Sequence, residues 1–486
     1  MINPEFSNDT FDNSSPLSIF HFSRHLMGQS LHSLFGDTIF EHTRKGKGSL
    51  GQMVENLFFN YEINSKQEAD FSEAHVELKC TPLLKSKTDN SYRIKERLVC
   101  TMINYSELIN TSFEKSHLIS KCQLMLLLFY LHSKGNVVYD YEFLFRILWQ
   151  LPEKDLTLIK KDYQTIAEKV RRGEAHLLSE GDTLYLGACR KGQKGDNLQT
   201  QPNSTIKAYK RAFSLKPAYM RYILRHVTES DSNYYTNYVN PETIEYELVS
   251  NKELHNYCFE DIIIQRFKPF IGKNYTEICE MMGIKPYQAK SKYADICSLI
   301  ASNGKSKRLN SSEEFIKSGI MMKTIRLRKN GMPKEAMSFK NIDFCEIFDN
   351  DQWIESEAYE LFTNRFMFVV FSPVENEEIC LYNTKKEDEI YEQSYVLKSV
   401  FFWTMPPNDL ELANDYWKNI RNAVISNSIT ASSFWSIRDK KKFHVRPKAR
   451  LKTDRTVNPN GGLCDKFCYW FNADYLKQII ESNKEK

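Results

Sequence analysis

Early in the sequence, two carboxylates and an amine stand at a spacing that could act on a phosphate. In DFSEAHVELKCTPL, Asp70 is followed seven residues later by Glu77 and nine later by Lys79. From His75 to Leu83 the segment reads as a strand, along which side chains alternate, so Val76, Leu78 and Cys80 share one face and Glu77 and Lys79 the other. A charged face on so apolar a segment needs a reason. Upstream, SLGQMVENLFF spaces Leu50, Val54, Leu57 and Phe58 as the buried stripe of a helix, leaving Glu55 off the stripe and able to point into a cleft. Carboxylate oxygens suit Mg²⁺, which takes few protein ligands and completes its shell with water and phosphate oxygens. The set predicts metal-assisted phosphodiester hydrolysis. Asp70 and Glu77 hold the metal, Glu55 joins them directly or through water, and Lys79 positions the attacking water or stabilises developing negative charge. On spacing alone, an E-x-K strand face is more often a solvated ion pair.

An internal duplication changes that weighing. DFSEAHVELKCT (Asp70 to Thr81) runs in register with EFIKSGIMMKTI (Glu314 to Ile325), placing Asp70 opposite Glu314 and Lys79 opposite Lys323. KERLVCTMINY matches KEAMSFKNIDF, LYLGACRKG (Leu184 to Gly192) faces FHVRPKARL (Phe443 to Leu451), and AFSLKPAYM faces YWFNADYL, all in the same order. The second copy keeps the apolar frame and Lys323 but has Met321 for Glu77 and Ile300 for Glu55. A thioether is a soft ligand and an isoleucine is none, so only the first copy is expected to bind Mg²⁺. The second copy carries instead RDKKKFHVRPKARLKTDR, nine basic residues against two acidic ones. Its FHVRP reads as an alternating strand that lays Arg446, Lys448 and Arg450 along one ridge as candidate phosphate contacts. A solvated basic face is the competing reading. Such contacts supply salt-dependent affinity, whereas specificity needs base edges.

These elements need two scaffolds. The 486 residues exceed one ordinary core, and the duplication predicts two α/β domains, 1–245 and 246–486, joined through the polar, tyrosine-rich stretch Thr228 to Asn256. A net charge of +4 is too mild to name a partner by itself. The N-terminus has no secretory pattern and the most apolar run, CQLMLLLFYL, is too short to span a bilayer, so a cytoplasmic protein without a membrane partner is expected. Eleven scattered cysteines fit reduced thiols; the lone C-x3-C of Cys464 and Cys468, and the pair His21 and His25, read as structural. RKGKGSLGQ lacks the Lys-Ser/Thr of a P-loop.

KGKGSLGQMVE, DFSEAHVELKCTP and SHLISKCQLMLLL together resemble the MutH mismatch-repair endonucleases, and FIGKNYTEICEMMGI and VRPKA repeat the pattern in the second half. A tandem chain of this kind is similar to the Sau-type restriction endonucleases, which cut DNA at GATC. The resemblance implies two tandem restriction-endonuclease-like domains, each a mixed sheet flanked by helices, with Mg²⁺ as cofactor and Glu55, Asp70, Glu77 and Lys79 as the active site. It adds Lys121 as a further functional lysine, with Arg365 as its counterpart and a backbone-phosphate role. It makes the second half a pseudo-catalytic, DNA-binding and regulatory unit. The expected activity is type II restriction of double-stranded DNA in a bacterial cytoplasm, with two chains associating on the DNA. A strand-nicking repair endonuclease and a non-catalytic DNA-binding regulator are the alternatives. The loop Arg190 to Gln201 and its basic counterpart are candidate base readers.

Overall fold

The computed structural model describes residues 10–37, 39, 49–61, 68–86, 91–191, 197–229, 246–383, 388–451 and 453–483. Most of the expected connection, and the centre of the candidate base-reading loop, lie outside these residues. The chain divides into two compact units, Met1–Thr243 and Ile244–Lys486.

In the first unit, β1 (Glu77–Lys85), β2 (Tyr92–Ile94), β4 (Leu124–Leu131) and β5 (Phe143–Gln150) form a sheet in the order β2-β1-β4-β5. β1 runs parallel to β4, with Glu77 opposite Met125, and β4 runs antiparallel to β5. A parallel pair needs a crossover. Here it contains β3 (Leu98–Met102) and the helix His117–Cys122, which leads straight into β4. The apolar LMLLLFYL is thereby explained, since β4 is a central strand in which Met125 to Phe129 are wholly buried. Among the described residues, no helix is long and apolar enough to cross a membrane.

A second sheet has the order β3-β9-β6, where β6 is Leu186–Arg190 and β9 is Arg211–Leu215, and β7 (Leu198–Gln201) and β8 (Ser204–Tyr209) form a hairpin. The helix Glu153–Arg171 anchors this sheet through Asp162, a buried carboxylate that accepts the backbone N–H groups of Leu184, Tyr185 and Leu186 at 2.7 to 2.9 Å.

The second unit repeats this plan. β10 (Met321–Arg326) is parallel to β12 (Phe366–Asn383), which is antiparallel to β13 (Asp388–Trp403). β11 (Met337–Asn341), β14 (Phe443–Pro447) and β17 (Phe467–Phe471) form the sheet β11-β17-β14, and β15 (Arg455–Val457) pairs with β16 (Leu463–Asp465). Phe362, Phe366, Trp403, Phe443 and Phe471 fill its core. Each such buried side chain contributes about 1.5–3 kcal/mol of transfer free energy.

The register of one repeat differs from the sequence reading. Leu186 pairs with Leu215 and Phe443 with Phe471, so Leu186, and not Leu184, is the counterpart of Phe443. The bond from Lys191 N–H to the Lys210 carbonyl recurs from Lys448 to Lys466, at the same step beyond each strand. Leu186 to Cys189 are all buried, so no in-out alternation was present to fix the register.

Candidate active site

The seven-residue gap between Asp70 and Glu77 is a tight turn. Phe71 and Val76 exchange backbone hydrogen bonds, at 2.9 and 3.2 Å, and His75 inside the turn has φ 54°. The chain doubles back, and the Asp70 carboxylate accepts the N–H of Leu78 at 2.9 Å. Val76 and Leu78 enter the core from one face of the extended segment, while Glu77 on the other face is only 1% exposed.

Two amines meet on Glu77. Lys79 Nζ lies 2.5 Å from Oε1, and Lys121 Nζ lies 3.3 Å from both carboxylate oxygens. Lys121 stands in the last turn of the helix His117–Cys122, and the parallel pairing of β4 with β1 brings that helix end beside the first residue of β1. Its proximity to Glu77 was not anticipated. The readable signal was that Lys121 immediately precedes the apolar strand that must cover the charged one.

Glu55 arrives from a π-helical turn. Val54–Phe58 follows the short helix Ser49–Met53, and the Phe59 N–H donates to the Val54 carbonyl, five residues back. Val54 and Phe58 are buried and clamp the turn, while Glu55 stays only part-buried. The sequence periodicity predicted an ordinary helix here; π turns are short and frequent at functional sites.

The electrostatics describe one crowded acidic site with two counter-charges. Burial, then repulsion from Asp70 and Glu77, pushes the Glu55 carboxyl up to about 7. Burial, then repulsion from Glu77, pushes Asp70 up to about 6. Burial disfavours the charge on Lys79, yet Glu77 and Asp70 hold it above the ordinary lysine range. Among the described residues, no three His, Cys, Asp or Glu side chains close on one point as a ready-made metal cage. The donors instead match a hard cation that uses one or two carboxylates and takes its other ligands from water and phosphate. Burial first and mutual repulsion second are what raise both carboxyls.

The matching positions in the second unit are differently employed. Ile300 is 2% exposed inside the helix Lys292–Ala301, and Met321 packs against the core. Glu314 is wholly buried and accepts the N–H groups of Leu248 and Val249 at 3.0 and 3.1 Å. Counting from the helix N-caps Ser116 and Ser356, the residue in the place of Lys121 is Leu361, and not Arg365. Arg365 is committed to a two-pronged pair with Glu260, at 2.6 Å on each arm, and to Thr404.

The basic ridge is shorter than the alternating pattern predicted. Phe443, His444 and Val445 are all buried, because β14 is covered on both faces, and exposure begins at Arg446. Arg446 lies over the Trp470 ring at 5.0 Å, Lys448 Nζ donates to Ser338 Oγ at 3.0 Å, and the exposed Arg450 donates its backbone N–H to Asp454.

Comparisons with known proteins give the chain its relatives. The family model of the DNA mismatch repair enzyme MutH matches residues 59–162, which include Asp70, Glu77, Lys79 and Lys121. The chain is 30% identical to the type II restriction enzyme Sau3AI of Staphylococcus aureus, over 94% of this chain and 97% of that protein. It is 26% identical to the DNA mismatch repair protein MutH of Shewanella woodyi, over 37% of this chain and 77% of that protein.

Proposed function

Because the chain belongs to the MutH/Sau-type family of restriction endonucleases, we propose that it is a type II restriction endonuclease that hydrolyses double-stranded DNA at GATC with Mg²⁺. The observation that carries this reading is the single point at the head of β1 where Glu77 meets Lys79 and Lys121, with Asp70 and Glu55 beside it. Asp70 and Glu77 would hold the metal, with Glu55 joining directly or through water. When bound, Mg²⁺ supplies charge neutralisation for the carboxylates and Lewis acidity toward the scissile phosphate. Lys79, whose ammonium lies on Glu77, would orient the attacking water or stabilise developing negative charge. Lys121, on the same carboxylate, fixes Glu77 from the end of the helix that precedes β4 and adds positive charge beside the phosphate. Met321 and Ile300 leave the second unit without this donor set, and its role is to bind DNA and govern cleavage by the first.

The test is incubation of unmethylated and adenine-methylated plasmid with the protein and Mg²⁺, followed by sequencing of the ends. Cleavage of both strands at GATC, absent in EDTA, is expected. Nicking of one strand would favour a repair-type enzyme, and ends unrelated to GATC would remove the specificity.

A further inference from the structure

In the second unit, the degenerate site has Ile300 and Met321 in place of two of its acids, turns the third, Glu314, to the backbone of Leu248 and Val249, and keeps its amine. Lys323 is the third residue of β10, as Lys79 is of β1, but Met321 stands where Glu77 would receive it. Its Nζ donates to the Ser338 carbonyl at 3.0 Å and lies 4.7 Å from the centre of the Phe339 ring. A second amine reaches the same two residues from the other sheet. Lys448, just beyond β14, donates to Ser338 Oγ at 3.0 Å and to the Phe339 carbonyl at 3.2 Å.

Among the described residues, neither Lys323 nor Lys448 has a carboxylate within ion-pair reach. Elsewhere in the same unit the buried amines of Lys292 and Lys317 face Glu392 and Glu313. Two ammonium groups converging on two backbone carbonyls and a hydroxyl, without an acid, leave an uncompensated positive site. Burial, then repulsion from Lys448, pushes Lys323 down to about 8, which an anion between them would reverse.

We propose that Lys323 and Lys448 form a metal-free clamp for one backbone phosphate of duplex DNA. This rests on the DNA-cleaving reading above. The first unit reaches a phosphate through carboxylates and a divalent cation; the second has exchanged that arrangement for two ammonium groups that contact the phosphate oxygens directly. A phosphodiester offers two non-bridging oxygens, one for each amine, and Lys448 lies exposed at the rim where a duplex can approach. Needing no divalent cation, the clamp works in EDTA.

The test is duplex binding by the full chain in EDTA, with fluorescence anisotropy read across a KCl series. Each neutralised phosphate contributes about 0.9 to the slope of log K against log salt. Lys448→Gln should lower the slope by about 0.9, Lys323→Gln by the same amount, and the double variant by about 0.9 again and not about 1.8, because one phosphate is shared. Lys448→Arg should preserve the slope. Should Lys323→Gln fail to fold, the exposed Lys448→Gln carries the test alone. An unchanged slope in Lys448→Gln, or an additive loss in the double variant, overturns the clamp while leaving the nuclease reading intact. Failure of the wild-type chain to bind any duplex in EDTA overturns the clamp, while plasmid cutting with Mg²⁺ judges the nuclease reading separately. Inorganic phosphate that binds the wild-type chain without competing with duplex also overturns the proposal, reassigning the pair to a free anion.

Discussion

Replacing Glu77 by alanine removes the one acceptor that two ammonium groups share. Glu77 is 1% exposed, and the side chains of Lys79 and Lys121 retain only 22% and 16% of their accessible surface. Taking one partner from a buried pair costs about 3–5 kcal/mol, and the residual solvent at both lysines places this case near the lower end, about 3 kcal/mol. For a unit of this size, that corresponds to a fall in Tm of about 6–12 °C. Glu77→Gln keeps an oxygen acceptor and should lose less, about 1–2 kcal/mol. Both variants should fail to cut plasmid with Mg²⁺ while still binding duplex, since Glu77 serves metal and phosphate and not a base edge. Adding Lys79→Met to Glu77→Ala should recover part of the lost stability, a coupling that a double-mutant cycle in EDTA measures directly. Near-normal cleavage by Glu77→Ala would refute the site. An unchanged melting temperature would refute the buried triad even if cleavage were lost.

Mg²⁺ should raise the Tm of the wild-type chain but not of Asp70→Asn, and Glu55→Gln should show an intermediate response with impaired cutting; equal responses in all three would detach the carboxylates from the metal. Lys323 lies below the ordinary lysine value of 10.5, at about 8, so between these values the unfolded chain binds more protons and stability rises with pH. Denaturant midpoints at several pH values across that window should rise in the wild-type chain and flatten in Lys323→Met; parallel curves would contradict the burial of this charge. One carboxylate set per chain faces two scissile phosphates on antiparallel strands, so a two-site plasmid should be cut faster than a one-site plasmid, and a short target duplex added in trans should accelerate the latter. Equal rates indifferent to added duplex would refute coupling through the second unit.

The strand character of Glu77 to Lys85, the buried strand at Leu124 to Leu131 and the doubled α/β plan were all legible, because alternation, apolar runs and repeats are local signals. The meeting of Glu55, Asp70, Glu77 and Lys79 was legible from residue chemistry weighed against the second copy. Three features were not. The turn at Phe71 and Val76 brings Asp70 to Leu78 by backbone pairing that no motif announces. Lys121 reaches Glu77 through the parallel register of β1 and β4, a nonlocal fact that repeat spacing misdirected toward Arg365. The basic strand at Phe443 is covered on both faces, so the apparent alternation of FHVRP did not describe its exposure.

The π turn at Val54–Phe58 makes competence depend on helical phase as well as on residue identity. A five-residue hydrogen-bonded turn holds one residue more than an α turn, the signature of a single insertion, and each residue of phase rotates a helix by about 100°. The helix Lys292–Ala301 of the second unit runs as an uninterrupted α-helix through Ile300. Restoring glutamates at positions 300 and 321 would therefore return the lost side chains without returning their aim, and revival of the second unit by substitution alone should fail. Conversely, deleting one residue from the π turn should silence the first unit with every one of its charged groups still encoded, so the two units differ in length as well as in letters at this point.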